Sequence, residues 1–315
     1  MLKLEKISQE NIQTHYPSVS NEYMIGGYQL SKDGEQLGRI VCYQNKYIGA
    51  DTLLLGGYGM VDDEEASNFL FRHIFKEAKR QGFKKIIGPM NGSTWESYRF
   101  AHASAEESFF LEPQQETYYL NQWEVAGFET YASYYSSHSI HEENQDWIKE
   151  EKKLDAKFAA KNLHVEKWKD NLSNEEWNQL ADFNNEAFRK NSLFSPLREK
   201  CFKKKYSQIS QAVDTKFIYL VKERGKLVGL LFAYPNLIDS AKKSLVLKTM
   251  ARLPDPHLRG LGTWMCLKFF NEASRHGYKK IIHALMQVAN TSTVRSTEFG
   301  GEIFRNYSLY KKELS

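Results

Sequence analysis

Apolar and polar positions recur along the chain with two periods, and these periods predict an alternation of strands and helices. In the first half, runs rich in β-branched and aromatic residues predict strands at 38–43, 52–58, 84–88 and 131–137. Apolar positions at helical spacing predict helices at 62–80 and 119–126. The charged stretch 142–161, which lacks Gly and Pro, predicts a linking helix.

The second half repeats this order of elements. A capping box at Ser173 predicts a helix to about residue 188, and a basic helix is predicted at 198–210. Further predicted elements are strands at 216–222, 227–234, 244–253, 280–285 and 303–311, and helices at 260–276 and 291–299. The first two of these strands are expected to form a hairpin across the turn 223–226.

An internal repeat connects the two halves. The segment 78–87 (AKRQGFKKII) matches the segment 273–282 (ASRHGYKKII) at seven of ten positions. A second echo, GFETY at 127–131 and GGEIF at 300–304, follows in the same order. We interpret these echoes as a tandem duplication, with domains at 1–140 and 163–315 joined by a linking helix at 141–162.

Composition agrees with two domains in 315 residues, of which 41% are hydrophobic and 26% charged. No apolar run is long enough to span a bilayer, and the first residues lack the apolar core of a signal peptide. The three cysteines (Cys42, Cys201 and Cys266) are far apart, which argues against a disulfide framework and a zinc site. We therefore expect a protein of the reducing cytoplasm that does not enter membranes.

The net charge of +4 is divided unequally between the halves. Residues 1–140 carry 12 Lys and Arg against 18 Asp and Glu, a net charge of −6. Residues 141–315 carry 31 against 21, a net charge of +10. Two alternatives stay open: differently decorated solvated surfaces, or a second half that attracts a phosphorylated ligand or a polyanion.

The segment 249–264 (TMARLPDPHLRGLGTW) joins a predicted strand to a predicted helix. The first N–H groups of a helix have no intrahelical partner, and the helix dipole favours an anion there. Gly260 and Gly262 carry no side chains that would keep phosphate oxygens away from the backbone, and Arg259 and His257 lie in the same loop. We expect this loop to bind a pyrophosphate, although an ordinary strand–helix turn has the same pattern.

Two common phosphate-binding motifs do not fit this loop. Met265 stands where a dinucleotide fingerprint needs a third glycine, and the Gly-Lys-Ser/Thr ending of a P-loop is absent. The order of elements instead resembles the GNAT superfamily of acyl-CoA-dependent N-acyltransferases, whose loop reads Arg/Gln-x-x-Gly-x-Gly/Ala a few residues beyond a proline, here Pro254. Asn290 occupies the place of the family's asparagine, and the turn at 298–301 (EFGG) is also similar.

The resemblance covers 163–315 and extends through the repeat to 20–140, where Gly88-Pro-Met-Asn91 resembles a stretch of bacterial GNAT-like proteins. It implies an α/β (α+β) fold of two tandem GNAT-like domains, each a mixed, mostly antiparallel central sheet flanked by helices. It also implies acetyl-CoA or another acyl-CoA as a substrate, a small-molecule or peptide amine as acceptor, and no metal.

The resemblance also implies which residues hold the coenzyme. Backbone groups of the strand before the loop would face the pantetheine arm, the loop would hold the pyrophosphate, and Asn290 would bond the arm. The residues so assigned are Met250, Ala251, Arg252, His257, Arg259, Gly260, Leu261, Gly262, Thr263 and Asn290. His257 stands where the family has Arg or Gln.

The catalytic residues do not follow from the resemblance. Many family members place a Tyr seven residues after the asparagine to protonate the leaving thiolate, and that position is Thr297 here, a poor general acid. Tyr307, Tyr310 and Glu298 are candidates for this role, although a packing or surface role is the better interpretation of each. A thioester is already activated, so positioning alone can support transfer.

The first half departs further from the family. Its corresponding loop reads GMVDDEE at 59–65, and its four carboxylates would compensate the helix dipole and repel a pyrophosphate. We therefore expect a degenerate first domain. It also carries an insert at 91–116, because its two echoes are 22 residues further apart than those of the second half. This insert is expected to help bind the acceptor, to cover the interdomain cleft, or to pack on its own domain.

Three functions are consistent with the sequence. The first is an N-acyltransferase, and most simply an N-acetyltransferase. The second is a catalytically silent acyl-CoA-binding or scaffold protein, which Thr297 favours. The third is an aminoacyl-tRNA-dependent transferase, which the basic second half favours, although no RNA-binding motif is present and the stretch Lys203-Lys-Lys205 is typical of a solvated helix face. The acceptor and the oligomeric state do not follow from the sequence.

Overall fold

Strands and helices follow in a similar order in the two halves of the chain. The structure is a computed structural model, and it describes residues 1–17, 19–241, 243–288 and 290–314. The first half comprises β1 (Leu2–Ile7), α1 (Gln9–His15), β2 (Met24–Lys32), β3 (Glu35–Tyr43), β4 (Thr52–Met60), α2 (Glu64–Arg80), β5 (Lys85–Gly88), β6 (Phe100–Ala101), α3 (Tyr118–Val125) and β7 (Glu129–Ile140).

The linking helix α4 (Gln145–Ala159) precedes the second half. That half comprises β8 (Leu163–Lys167), α5 (Asn174–Phe188), α6 (Glu199–Ala212), β9 (Ile218–Glu223), β10 (Lys226–Pro235), β11 (Ser244–Arg252), α7 (Leu261–Arg275), β12 (Lys280–Gln287), α8 (Thr291–Glu298) and β13 (Glu302–Glu313). Every strand and helix predicted from the pattern is present within a few residues. The pattern missed β1, α1, β2, β6 and β8, which are short or lie towards the sheet edges.

Local interactions explain several of the element ends. The capping box at Ser173 is formed with Glu176, and it starts α5 as predicted. The turn between β9 and β10 places Arg224 and Gly225 at φ values of 48° and 83°, the left-handed pair that a two-residue hairpin needs.

The repeated sequence has the same backbone structure in both copies. Gly82 ends α2 with a φ of 84°, and Gly277 ends α7 with a φ of 79°. The next residue, Phe83 or Tyr278, donates its N–H to the carbonyl of the alanine five residues earlier, Ala78 or Ala273, at 3.0 Å in each copy. The match at 78–87 and 273–282 therefore encodes the same helix end and the same entry into a strand.

The two halves share one sheet, in the order β1-β2-β3-β4-β5-β13-β7-β12-β11-β10-β9-β8. The pairs β4/β5 and β11/β12 are parallel and the other pairs are antiparallel, as predicted for a mixed, mostly antiparallel sheet. The last strand of each half lies across the junction: β13 pairs with β5 of the first half, and β7 pairs with β12 of the second. Because of this exchange, the boundaries at 140 and 163 stay a prediction.

The buried side chains form a core in each half and a third cluster at the junction. The second-half core surrounds α7, and the first-half core surrounds α2 and Trp123. In the junction cluster, Leu309 of β13 packs with Leu54 and Ile87 of the first half. Among the described residues, no helix combines the length and the apolar composition needed to cross a bilayer.

Three polar side chains are buried together between β7 and β12. The hydroxyl of Ser139 lies 2.5 Å from Nε2 of His141 and 2.9 Å from Nε2 of His283. Burial lowers the pKa of His141 to about 4, and burial together with the neighbouring His141 and His138 lowers the pKa of His283 to about 3. Both imidazoles are therefore neutral at pH 7.

Candidate functional site

The parallel strands β11 and β12 separate soon after they meet. They pair at four positions, from Ser244 opposite Lys280 to Leu247 opposite His283, and both strands continue beyond that point. In the part of the chain that the structure describes, the strand pairing of Met250, Ala251 and Arg252 is with β10 alone. Their other edge faces the opening between the strands.

The loop after β11 leads into α7 with an unsatisfied helix N-terminus. Gly260 is the N-cap and has a φ of 91°, a left-handed conformation that glycine adopts without strain. No side chain caps this terminus, and no acceptor among the described residues binds the N–H groups of Leu261, Gly262 and Thr263. A β-carbon on Gly262 would meet only the terminal methyl of Met250, at 3.9 Å. The loop therefore presents backbone donors beside open space.

Two lysines, one in the linking helix and one just beyond its end, lie beside this loop. The Nζ atom of Lys157 is 3.7 Å from the point where a β-carbon on Gly260 would stand. Lys161 donates to the carbonyl of His257 at 2.7 Å. The linking helix packs against α7, where Asp155 accepts from the indole of Trp264 at 2.7 Å. It thereby adds positive charge to an N-terminus that already favours anions.

The imidazole of His257 is held between two carboxylates. Its Nδ1 lies 2.6 Å from Asp255, and its Nε2 lies 3.1 Å from Glu223. The hydrogen bond with Asp255, assisted by the one with Glu223, raises the pKa of His257. Both ring nitrogens are thus engaged by carboxylates, so His257 braces the loop against β9. The guanidinium of Arg252 also braces the loop, because it donates to the carbonyls of Leu253 and Asp255.

The candidates on α8 lie at the surface. Asn290 is the N-cap of this helix, and its amide oxygen accepts from the N–H of Thr291 at 2.7 Å. Thr297 is exposed and its hydroxyl donates to the carbonyl of Thr293. Glu298 forms an exposed ion pair with Arg295. The α8 helix therefore supplies no buried acid at the positions predicted from the sequence.

The two tyrosine candidates on β13 lie in different surroundings. Tyr307 is fully buried, and its hydroxyl bonds to Glu112 and to the hydroxyl of Ser136. Tyr310 lies in the first-half core, where its hydroxyl donates to Glu124 at 2.9 Å. Burial is the main cause that raises the pKa of each tyrosine well above its ordinary value. Because β13 pairs with β5 of the first half, Tyr310 lies away from the other candidates.

The insert of the first half packs against the second half. The indole of Trp95 donates to the carbonyl of Ser195 at 2.7 Å, and the N–H of Phe110 donates to the side chain of Asn236 at 2.9 Å. Phe109 belongs to the core of the second half. The insert also packs on its own half, where Phe100 belongs to the first-half core, so all three expectations for the insert stay open.

Side chains that the sequence did not single out lie where β11 and β12 separate. Lys248 is the extra residue of a bulge in β11 opposite β10. The guanidinium of Arg99, from the insert, donates to the carbonyl of Leu285 on β12 at 3.3 Å. Glu112, also from the insert, pairs with Arg305 at 2.7 Å. A lone lysine in the strand 244–253 is a sequence signal that could have pointed here, whereas the contribution of Arg99 depends on tertiary packing.

The corresponding strand edge and helix N-terminus of the first half are both closed. The strands β4 and β5 pair only at three positions, but the N–H of Met90 donates to Leu55 and the side chain of Asn91 accepts from the N–H of Gly57. The carboxylate of Asp63 caps α2 by accepting from the N–H of Ala66 at 2.9 Å. The chain's own side chains therefore occupy the positions that are open in the second half.

Comparison with solved structures identifies the fold. No family model matches the chain, and no curated protein matches its sequence. A tandem GNAT protein from the clavulanic acid biosynthesis pathway superposes with a TM-score of 0.56 at 9% identity, over 100% of this chain and 99% of that chain. The fold is that of the GNAT superfamily, used twice in tandem.

Two further GNAT structures agree with this assignment. A GCN5-related N-acetyltransferase from Anabaena variabilis superposes with a TM-score of 0.54 at 11% identity, over 100% of this chain and 73% of that chain. Another from Sphaerobacter thermophilus has a TM-score of 0.51 at 12% identity, over 97% of this chain and 85% of that chain. The expected fold class, two tandem GNAT-like domains, is confirmed.

Metal ligands do not cluster in this GNAT fold. Among the described ranges, no group of three or more His, Cys, Asp and Glu side chains has the geometry to hold a metal ion.

Proposed function

We propose that this protein is an N-acyltransferase that moves an acyl group, in the simplest case acetyl, from acyl-CoA to the amine of a small molecule or peptide. The observation that carries the proposal is the N-terminus of α7, where the N–H groups of Leu261, Gly262 and Thr263 have no acceptor among the described residues. Such a terminus binds phosphate oxygens through its donors and its dipole.

The neighbouring strand edge supports the same assignment. The edge of Met250, Ala251 and Arg252 that faces away from β10 is available to hydrogen-bond a pantetheine arm that leaves the pyrophosphate. Arg259 and Asn290 keep their proposed places in this site, and Lys157 is added to it as a charge beside the phosphates. His257 is proposed to hold the loop rather than to contact the phosphates, because its ring nitrogens are engaged by carboxylates.

The two halves are proposed to have different roles. The second half binds the coenzyme, and the insert at 91–116 forms a wall of the acceptor site, which its contacts with Ser195 and Asn236 support. Transfer then depends mainly on positioning the amine beside a thioester that is already activated. Tyr307 is proposed to hold Glu112 and the insert, since its hydroxyl is buried and its pKa is raised.

Two other proposals are less well supported. The exposed Thr297 keeps a silent acyl-CoA-binding protein as the second candidate function, because no acid occupies that position. A tRNA-dependent transferase is disfavoured, because Lys203 and Lys205 are engaged with Asn174 and Glu96 instead of forming a free basic surface. The three free cysteines fit a reducing compartment such as the cytoplasm.

The coenzyme site is tested by thermal stabilisation. Acetyl-CoA at 100 times its Kd should stabilise the wild-type protein by about 2.7 kcal/mol, because it binds only the folded chain. The Gly262→Glu variant should lose this stabilisation, since a carboxylate would occupy the phosphate position without a steric clash. The Gly262→Ala variant is the matched control, because the space beside Gly262 accepts a β-carbon.

Two results would count against the proposed site, and a third would favour the silent binder. No stabilisation of the wild-type protein by acetyl-CoA would remove the coenzyme site. Equal stabilisation of the Glu and Ala variants would move the site away from α7. Stabilisation without thiol release across a panel of amines would favour the silent binder.

A further inference from the structure

Charged side chains meet inside the sheet where β11 separates from β12. Lys248 stands at the bulge of β11, one position beyond the last residue that pairs with β12. Arg99 approaches from the insert and donates to the carbonyl of Leu285 on β12, at 3.3 Å. The two cations therefore approach the same opening from two segments of the chain, β11 and the insert.

Arg99 is a buried cation without a counter-ion. Its side chain is only 7% exposed, and its Nε atom has no hydrogen-bond partner. No carboxylate among the described residues forms an ion pair with it. The rings of Tyr98 and Tyr134 lie 4.0 and 4.3 Å from its guanidinium carbon, which orients the group and compensates part of its charge. Removing one partner from a buried ion pair costs several kcal/mol, so a lone buried guanidinium indicates a missing anion.

The nearby carboxylate is already engaged. Glu112 accepts from Arg305 at 2.7 Å, from the N–H of Phe109 at 3.2 Å and from the hydroxyl of Tyr307. Lys205, the next cation, pairs with Glu96 at 3.0 Å. Neither carboxylate is therefore free to compensate the charge of Arg99.

Burial and neighbouring positive charges disfavour the charged form of Lys248. Burial is the largest cause that lowers its pKa to about 7, and the charges of Arg99 and Lys205 lower it further, whereas Glu112 raises it. An anion placed between Arg99 and Lys248 would favour the charged lysine. The opening thus contains Arg99, which stays charged, and Lys248, whose charged form an anion would stabilise.

The backbone on both sides of the Arg99–Leu285 hydrogen bond is strained. Arg99 has a φ of 68° and Leu285 a φ of 58°, and neither residue is glycine. Such conformations persist where the surroundings hold a functional side chain in place. Here they hold the guanidinium at the point where the strands part.

We propose that Arg99 and Lys248 bind a carboxylate of the substrates, carried either by the amine acceptor or by the acyl group. A planar carboxylate matches the free edge of a guanidinium with two parallel hydrogen bonds. The proposal rests on the proposed acyl transfer for the identity of the molecule that carries the carboxylate. It also gives the first half a direct part in substrate choice, because Arg99 belongs to its insert.

The pocket itself is tested without coenzyme. Succinate should raise the melting temperature of the wild-type protein, and succinamide, which has similar size and no charge, should not. The Arg99→Gln and Lys248→Met variants should each bind succinate about tenfold or more weakly, as expected for the loss of a charge-assisted hydrogen bond. The Arg72→Gln variant, which changes an exposed arginine on α2, should behave as wild type.

The source of the carboxylate is separated in two further arms. If the acyl group carries it, succinyl-CoA should bind at least tenfold more tightly than butyryl-CoA, and Arg99→Gln should abolish the difference. If the acceptor carries it, glycine and β-alanine should release thiol from acetyl-CoA faster than their amides do, with the same dependence on Arg99.

The outcomes are distinguishable. Equal effects of succinate and succinamide, or equal succinate affinity in the Arg99→Gln variant, would overturn the pocket whatever acetyl-CoA does. Loss of acetyl-CoA binding with succinate binding intact would overturn the proposed function alone. A purely structural Arg99 would make the unliganded Arg99→Gln protein melt at a lower temperature. We expect no decrease, because the variant removes a buried charge that no carboxylate pairs. A folded Lys248→Met protein tests the same pocket independently.

Discussion

The helices α2 and α7 occupy equivalent positions in the two halves, but only the N-terminus of α2 is capped by a side chain. In α2, Asp63 caps the helix with its own carboxylate and Glu64 and Glu65 follow in the first turn. In α7, Gly260 leaves the donors open, and Lys157 lies nearby. The charges of the halves, −6 and +10, follow the same division.

The strand edges beside these helices also differ, because the edge in the first half is covered and the edge in the second half is open. The outer edge of β4 is closed by Met90 and Asn91, and further along by Tyr118, Tyr119 and Gln122. The outer edge of β11 has no such cover among the described residues. One fold thus serves in one copy as a closed support and in the other as an open site.

The largest effect is expected where the halves share a strand. Leu309 of β13 is fully buried against Leu54 and Ile87 of the first half, so Leu309→Ala should lower the free energy of unfolding by about 2–5 kcal/mol. Because β7 and β13 are exchanged, both halves should lose stability together in one transition, measured by circular dichroism and fluorescence in urea.

The control for this experiment lies on the same strand. Ile303 is 58% exposed, and Ile303→Ala should change the free energy of unfolding by less than about 0.5 kcal/mol. Two separate transitions, with one unmoved by Leu309→Ala, would show that the halves are independent domains despite the shared sheet.

The junction should also make stability depend on pH. His141 is neutral in the folded state down to about pH 4, whereas an unfolded histidine gains a proton below about pH 6.5. The unfolded state therefore binds more protons between these values, and stability should fall as the pH decreases from about 6.5 to 4. The expected loss is on the order of 3 kcal/mol for His141, and urea midpoints across this range would measure it.

A substitution separates this effect from general acid unfolding. His141→Gln keeps a polar partner for Ser139 but removes the titrating group, so its stability should depend less on pH between 6.5 and 4. The same slope in both proteins would contradict the assignment to the buried histidine.

The smallest effect is expected at the closed edge of the first half. Asn91→Ala leaves the N–H of Gly57 without its acceptor, which should cost about 1–3 kcal/mol in unfolding experiments. Opening this edge should not create a second coenzyme site, since Asp63 still caps α2. If the Asn91→Ala variant bound acetyl-CoA at two sites, the contrast between a closed first half and an open second half would be contradicted.

The sequence was most informative where local chemistry decides the structure. The capping box at Ser173, the turn at Arg224-Gly225 and the helix ends at Gly82 and Gly277 follow from side chains within a few residues. The exchange of β7 and β13 does not, because both strands have patterns that fit either neighbour. The pattern missed β2, whose glycines at 26 and 27 weaken a strand signal.

The candidate site was predictable to the same extent. The glycines at 260 and 262 and the acidic start of α2 could be interpreted directly, because an anion-binding helix N-terminus is a local property. The surroundings of Tyr310 and Arg99 could not, since each lies beside residues far away in the sequence. The position of His257 between two carboxylates likewise depends on Glu223 of another strand.

The number of coenzyme molecules bound by each chain tests the contrast between the halves most directly. Calorimetric titration of the wild-type protein with acetyl-CoA should give one site per chain. Gly262→Glu should remove it, and Asp63→Ala, which alters the corresponding terminus of α2, should leave both the number of sites and the Kd unchanged. Two sites per chain, or one site that Asp63→Ala weakens and Gly262→Glu does not, would contradict the account.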